Sequence, residues 1–213
     1  FVFSSSAAVY GTLGSVPVSE TSATSPISPY GVSKLMTEWM LRDVSVAHDF
    51  HYLALRPFNV AGADPGGRAG QRDHASSHLI KVACEVAVGK RRSLEIYGTD
   101  YPTPDGTCVR DFIHVSDLAD IHLRALEYLS ECDASMVLNC GYGRGFSVID
   151  VVEAVARVNS KPITVKHGTR RAGDPAQLVA DISALVERLN WVPRYDNLNR
   201  IVGDALKWEQ GLL

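Results

Sequence analysis

The sequence predicts an α/β fold with mainly parallel strands, and three observations carry that prediction. Short apolar, strand-like runs alternate with longer segments whose apolar residues recur every three or four positions, as in strands joined through crossover helices. Polar stretches rich in Gly, Pro, Ser and Thr separate them, as connecting turns should. The chain has 213 residues, 46% hydrophobic and 21% charged, enough to bury a core without disulfide staples in one domain or two small ones. This composition is too apolar for a disordered chain. No apolar run reaches the roughly eighteen residues of a membrane span. A formal net charge of −3 speaks against nucleic acid as the main partner, because phosphate binding wants a basic surface.

Residues 1–3 (Phe-Val-Phe) read as the end of a buried strand, left through the polar turn Ser4-Ser5-Ser6-Ala7. A strand at the first residue, with no initiator Met and no basic signal-like segment before it, predicts that something upstream is missing. Residues 11–29 read as a surface loop. Ser28 is placed to cap a helix with Pro29 at its first position, and Leu35, Met36, Trp39, Met40 and Val44 continue the helical spacing. A strand follows at 52–55, ending at Arg56-Pro57, and 62–75 form a polar loop. Residues 79–88 are helical, with Gly89 suited to the position after the C-cap. A strand at 94–97 precedes a Pro/Gly/Asp-rich loop to residue 106. Ser116 is expected to cap a helix carrying Leu118, Ile121, Ala125, Leu126 and Leu129. Residues 136–140 form the next strand. Ser147 and Asp150 make a capping box before a helix over 151–158. A strand at 163–165 and helices near 184–189 and 198–208 close the chain.

Cys84, Cys108, Cys132 and Cys140 form no C-x-x-C pair and have no metal-ligand spacing with any of the seven histidines. They are expected to be reduced, largely buried side chains of a cytoplasmic protein, and no metal site is expected.

Chemistry is suggested by Tyr30-Gly31-Val32-Ser33-Lys34, which puts a phenol and an ammonium four residues apart on one helical face. A nearby ammonium favours phenolate and suits the tyrosine to general acid–base work. The serines at 4–6 leave a strand at its carboxyl end, where functional groups of α/β sheets gather, and could add a hydroxyl. Together these groups suit proton removal from a sugar or alcohol hydroxyl, coupled to hydride transfer if a nicotinamide is present.

Phe-Val-Phe-Ser-Ser-Ser-Ala-Ala-Val-Tyr-Gly (1–11) and Ser-Pro-Tyr-Gly-Val-Ser-Lys (28–34) resemble the extended short-chain dehydrogenase/reductase superfamily. Tyr-Gly-Thr-Asp-Tyr-Pro-Thr-Pro-Asp-Gly-Thr-Cys-Val-Arg-Asp-Phe-Ile-His-Val-Ser-Asp-Leu-Ala-Asp (97–120) and Arg-Arg-Ala-Gly-Asp-Pro-Ala (170–176) resemble its UDP-glucose 4-epimerase family, and the likeness covers essentially the whole chain. The resemblance implies the C-terminal part of a doubly wound NAD-binding Rossmann domain plus a smaller α/β substrate domain. Residues 1–61, with 107–140 returning, would end the first; 62–106 and 141–213 would build the second.

The implied activity is interconversion of UDP-glucose and UDP-galactose through NAD-dependent oxidation and re-reduction at sugar C4. Ser6, Tyr30 and Lys34 are the implied catalytic residues. Ser4, Ser5, Tyr30, Lys34 and Phe58 would contact NAD. Ser6, Asn59, His78, Leu79, Leu94, Tyr97, Arg110, Arg171, Asp174 and Leu178 would contact the UDP-sugar. Arg110 and Arg171 would grip phosphates, for which the planar guanidinium fork is suited, and Asp174 would bind a ribose hydroxyl.

Pro57 departs from the family pattern, which usually has Tyr there, and removes a backbone N–H. Leu178 aligns with a gate to the sugar pocket and is intermediate in size between residues that reject and admit N-acetylated sugars. The glycine-rich cofactor loop is absent: Gly141-Tyr-Gly143-Arg-Gly145-Phe146 reads as a turn. A partial chain that does not retain NAD⁺ by itself is therefore expected, homodimeric when full length. Another UDP-sugar (UDP-arabinose/xylose or UDP-N-acetylglucosamine), or a non-catalytic nucleotide-sugar-binding remnant, are the alternatives.

Overall fold

A computed structural model describes residues 1–12, 16–73 and 76–212. Residues 13–15 of the predicted first loop, and 74 and 75 of the second, lie outside the described residues.

Three strands, β1 (Val2–Ser4), β2 (Leu53–Pro57) and β6 (Met136–Cys140), form a parallel sheet in the order β1-β2-β6. Phe3 lies beside Ala54 and Leu55 beside Leu138. Alternate residues of a strand face opposite sides, and β2 shows it. Leu53 and Leu55 enter a core with Ile121 and Ala125 of α3 (Val115–Glu131) and with Leu185, Leu189 and Trp191. Arg56 points the other way and meets Glu38 of α1 (Pro29–Ala47). The sheet is thus sandwiched between α1 and α3, and α5 (Ser183–Leu189) joins α3 on its side.

A second group of strands continues from the first. β5 (Val109–His114) runs parallel to β3 (Asn59–Ala61) along its second half. Along its first half it pairs antiparallel with β7 (Gly145–Ser147) and parallel with β9 (Gln177–Leu178). A separate parallel pair, β4 (Leu94–Tyr97) and β8 (Val165–Gly168), packs nearby. Helices α2 (Leu79–Ala87), α4 (Val148–Asn159) and α6 (Leu198–Gln210) enclose a second core around Ile80, Cys84, Phe112, Val151, Val155, Ile201 and Leu206.

The local signals place most elements. Ser28 Oγ accepts from Gly31 N at 3.1 Å and opens α1 behind Pro29. Ser147 and Asp150 form the reciprocal capping box of α4, at 3.0 and 2.8 Å. Gly89 follows α2 with φ +81°, a conformation glycine adopts without a Cβ penalty.

Four readings need correction. α3 is capped by His114, whose Nδ1 accepts from Ser116 N at 3.0 Å, and not by Ser116; an imidazole acceptor does the work expected of a hydroxyl. The strand expected at 163–165 lies at Val165–Gly168, where it matches β4 residue for residue. The short strands β3, β7 and β9 and the longer β5 carry no local signal, because pairing partners far along the chain define them. The turn expected over 141–146 runs into β7 at Gly145. The apolar stripe of α1 is also turned to solvent: Met36, Trp39, Met40 and Val44 are exposed, while Gly31, Leu35 and Glu38 face inward.

Candidate active site

At the end of β1 three serines take three directions. Ser4 Oγ meets His122 Nε2 at 2.6 Å. Ser5 is buried and donates to the Glu38 carboxylate. Ser6 Oγ accepts from Ala8 N at 3.1 Å, capping the 3₁₀ turn Ala7–Val9, and lines a cavity with Tyr30, Phe58 and Asn59. Tyr30 is 56% exposed at the start of α1, so its phenol can meet a ligand. One turn on, Lys34 Nζ donates to Ser4 O at 2.8 Å and lies 5.6 Å from the Tyr30 ring centroid and 5.1 Å from that of Phe3. The four-residue spacing thus puts the ammonium beside the phenol.

A buried network absent from the sequence reading stands beneath this group. Glu38 continues the Tyr30–Lys34 face by one more turn. Its carboxylate receives Arg56 Nε at 2.9 Å and Arg56 Nη2 at 2.5 Å. Arg56 Nη1 donates to Tyr10 OH at 2.9 Å, and Tyr10 OH donates to Asn139 Oδ1 at 2.7 Å. Burial alone would push the Arg56 guanidinium down, but Glu38 and Tyr10 outweigh it and hold it above the ordinary arginine range. Burial pushes the Tyr10 phenol up. The network joins the neighbour of Ser6, the helix of Tyr30 and Lys34, and the strand end before Phe58. Its one sequence signal was a glutamate eight residues after Tyr30.

Three adjoining cavities share Asn59. The first holds Ser6, Tyr30, Phe58, Asn59, His78 and Leu79. The second adds Arg110, Asp174 and Leu178 to Ser6, Phe58 and Asn59. The third adds Leu94, Tyr97 and Arg171 to Asn59, His78, Leu79, Arg110 and Asp174. Of the candidate site residues, Ser4, Ser5 and Lys34 are absent from these linings. The first two have hydroxyls engaged elsewhere, and Lys34 stands behind Tyr30.

The far end is more open. Arg110 Nη2 lies 3.5 Å from Asp174 Oδ1, and its Nη1 donates to Val109 O at 2.9 Å. The exposed Arg171 guanidinium lies 3.7 Å from the Tyr97 ring centroid, within cation–π range. Neighbouring Arg170 pairs with Asp100 at 2.7 Å, holding that carboxyl below its usual range, and covers Tyr101. The arrangement offers two guanidinium groups and an aromatic face at one end, and a hydroxyl–phenol–ammonium set at the other.

Among the described residues no group of His, Cys, Asp and Glu is placed to hold a metal ion, and no helix is long and apolar enough to cross a membrane.

Residues 1–141 match the family model described as the NAD dependent epimerase/dehydratase family. A UDP-glucose 4-epimerase of Azospirillum brasilense is 55% identical over 211 residues, covering 99% of this chain and 61% of that protein. The structure of a UDP-glucose 4-epimerase from Stenotrophomonas maltophila, with bound NAD and formylated UDP-arabinopyranose, superposes with TM-score 0.96 at 38% identity, covering 99% of this chain and 63% of that one. That of the UDP-Glc/GlcNAc 4-epimerase from Campylobacter jejuni superposes with TM-score 0.83 at 50% identity, covering 99% and 64%. The chain spans less than two thirds of the length of these relatives.

Proposed function

The chain belongs to the NAD dependent epimerase/dehydratase family, and from that membership we propose that it carries the proton-transfer and UDP-sugar-binding groups of an NAD-dependent UDP-glucose 4-epimerase. The reaction is the interconversion of UDP-glucose and UDP-galactose. The observation that carries this reading is the cleft that passes from Ser6 and Tyr30, through Asn59, to Arg110 and Arg171. It offers proton-transfer groups at one end and anion-binding groups at the other, as a sugar joined to a nucleoside diphosphate requires.

Tyr30 takes the proton of the sugar 4-hydroxyl and returns it after the sugar has presented its other face. Ser6 holds that hydroxyl. Lys34 lies beside the Tyr30 ring and is held there by its own anchor on Ser4 O. Arg110 and Arg171 bind the diphosphate, Asp174 a ribose hydroxyl, and Tyr97, Leu79 and Leu94 frame the base. His78 and Leu178 complete the walls. The donor set at the Tyr30 end fits the ribose of a nicotinamide nucleotide, since an ammonium and a phenol share one helical face beside the cavity that Phe58 lines. Tyr30, Lys34 and Phe58, with Ser4 and Ser5, would hold NAD, which is bound in the Stenotrophomonas structure. The chemistry supplied by bound NAD would be reversible hydride acceptance at sugar C4.

We assign residues 1–61 and 107–140 to the cofactor domain, with β6 beside β2 in support. Residues 62–106 and 141–213 go to the substrate domain, although α5 packs against α3 and β6. The exposed Val32, Met36, Trp39 and Met40 of α1 suit a homodimer contact between two such helices. Four free cysteines suit the cytoplasm. A second reading, activity on UDP-N-acetylglucosamine as well, is favoured by the 50% identity to the Campylobacter protein; Leu178, intermediate in size, favours neither sugar.

Calorimetry with UDP and UDP-glucose, followed by a coupled assay of UDP-galactose and UDP-N-acetylgalactosamine turnover with added NAD⁺, tests these readings. Binding by the chain is expected, with turnover of UDP-galactose by a longer version that retains NAD⁺. Binding without turnover by that longer version would leave a nucleotide-sugar-binding protein, and absence of binding would sink both.

A further inference from the structure

The glycine-rich run Gly141-Tyr142-Gly143-Arg144-Gly145 looks in sequence like a loop for an external anion, and it holds an internal one. Tyr142 N donates to Asp111 Oδ1 at 2.9 Å, and Gly143 N to Asp111 Oδ2 at 2.9 Å. Asp111 Oδ2 also accepts from Ala180 N at 3.2 Å. Asp111 is fully buried. The close approach needs glycine: a Cβ at Gly141 would stand 2.6 Å from Asp111 Oδ2 and 2.9 Å from the Ala180 Cβ.

What the carboxylate holds bears on the site. Ala180 lies two residues beyond Leu178, the last residue of β9, which is the shortest strand among the described residues. β9 rests on β5 in the register Val109↔Gln177 and Arg110↔Leu178, and the chain beyond it is tied on its other side to Val18, whose N donates to Val179 O and whose O accepts from Asp181 N, both at 2.8 Å. Arg110 is fixed independently, because β5 keeps its pairings with β7 and β3. Leu178 sits in a two-residue strand with one strand partner, β5, and it lines the cavity with Ser6 and Arg110. We propose that Asp111 is a positioning residue for sugar recognition: its buried carboxylate, set in the Gly141–Gly145 turn, pins the 177–180 segment and so fixes the Leu178 wall of the sugar pocket. This inference rests on the proposed UDP-sugar reading of the cleft. A buried carboxylate with three backbone donors is costly to disturb, because each donor left unsatisfied loses its full desolvation compensation. Replacement by an amide turns an NH₂ toward at least one of those donors.

The test is the ratio of dissociation constants for UDP-glucose and UDP, measured by calorimetry on the chain and on Asp111→Asn. UDP engages Arg110, Arg171, Asp174 and Tyr97; Arg110 keeps the β5 pairings with β7 and β3 and the other three lie outside 177–180, so its affinity should stay within about threefold. UDP-glucose should weaken by about tenfold more than UDP, a relative change on the order of 1.4 kcal/mol. A purely structural role would weaken both ligands together. An unchanged ratio, with both ligands still bound by the unsubstituted chain, overturns the inference and leaves the proposed function standing. Failure of the unsubstituted chain to bind either ligand removes the proposed function and this inference with it. If Asp111→Asn does not fold, hydrogen exchange at the Ala180 amide of the unsubstituted chain decides. Protection equal to that of the β5 amides is expected, and exchange as fast as in the exposed 169–173 segment overturns the inference.

Discussion

The two ends of the cleft are built differently. Around Ser6, Tyr30 and Lys34 the support is buried and interlocked, with Glu38, Arg56, Tyr10 and Asn139 joined by short hydrogen bonds among four segments. Around Arg110, Arg171 and Asp174 the groups are partly or fully exposed and touch through one 3.5 Å ion pair and one cation–π contact. The difference fits what each end is proposed to do. Proton transfer needs a hydroxyl and a phenol held to a fraction of an ångström. Capture of a diphosphate needs charge that can reach out and close on its ligand. The buried pair beneath the catalytic group therefore serves geometry more than stability, since burying charges costs desolvation that their attraction offsets only when the fit is good.

The contrast can be broken by substitution, beginning at the catalytic end. Tyr30→Phe should lower UDP-galactose turnover by about a hundred- to ten-thousand-fold, the usual worth of a placed acid–base. It should leave the thermal midpoint unchanged, because the ring is mostly exposed; residual turnover near the unsubstituted rate would remove Tyr30 from the chemistry. Glu38→Ala has the opposite signature. It leaves the Arg56 guanidinium buried without its carboxylate, at a cost of about 3–5 kcal/mol, or a fall in midpoint of roughly 6–20 °C. A midpoint within two or three degrees, on the order of 1 kcal/mol, would mean that the network is not the support it looks to be.

At the open end, Arg171→Ala should weaken UDP about ten- to a hundredfold, the loss of a charge-assisted contact, with little effect on stability. Arg170→Ala should not, because Arg170 is committed to Asp100 and Tyr101 and is absent from the cleft lining. Equal losses in the two variants would blur the distinction.

The smallest expected effect separates Asp111 from both ends. Burial pushes its carboxyl up to about 6, although the backbone donors at Tyr142, Ala180 and Gly143 pull it down. A carboxyl raised above its unfolded value near 3.8 contributes stability that is fully present below that value and is lost as pH rises through about 6. The thermal midpoint of the unsubstituted chain, relative to Asp111→Asn, should therefore drop by a few degrees between about pH 4 and pH 6 and stay level above about 7. A constant difference across that window would show that Asp111 does not titrate there.

Signals that act within a few residues determined much of this protein. Ser28-Pro29 and Ser147–Asp150 announce their helices because a cap bonds to backbone two or three positions away. Tyr30 and Lys34 meet because a helix turn is shorter than their spacing is long in the extended chain. Family motifs named the residues that line the cleft.

Tertiary structure decided what depends on distant partners. Periodicity showed that α1 is a helix, but its inward face was chosen by Arg56 from another strand, which draws in Glu38 and leaves Met36, Trp39 and Met40 outside. The three serines look alike in sequence and are told apart by His122, Glu38 and the Ala8 amide. The Gly141–Gly145 run has the composition of an anion loop, and only the fold shows that its anion is the Asp111 carboxylate, thirty-odd residues upstream. In each case the deciding contact spans a long stretch of chain, and a hydrogen bond leaves no mark on the local pattern of the residue it claims.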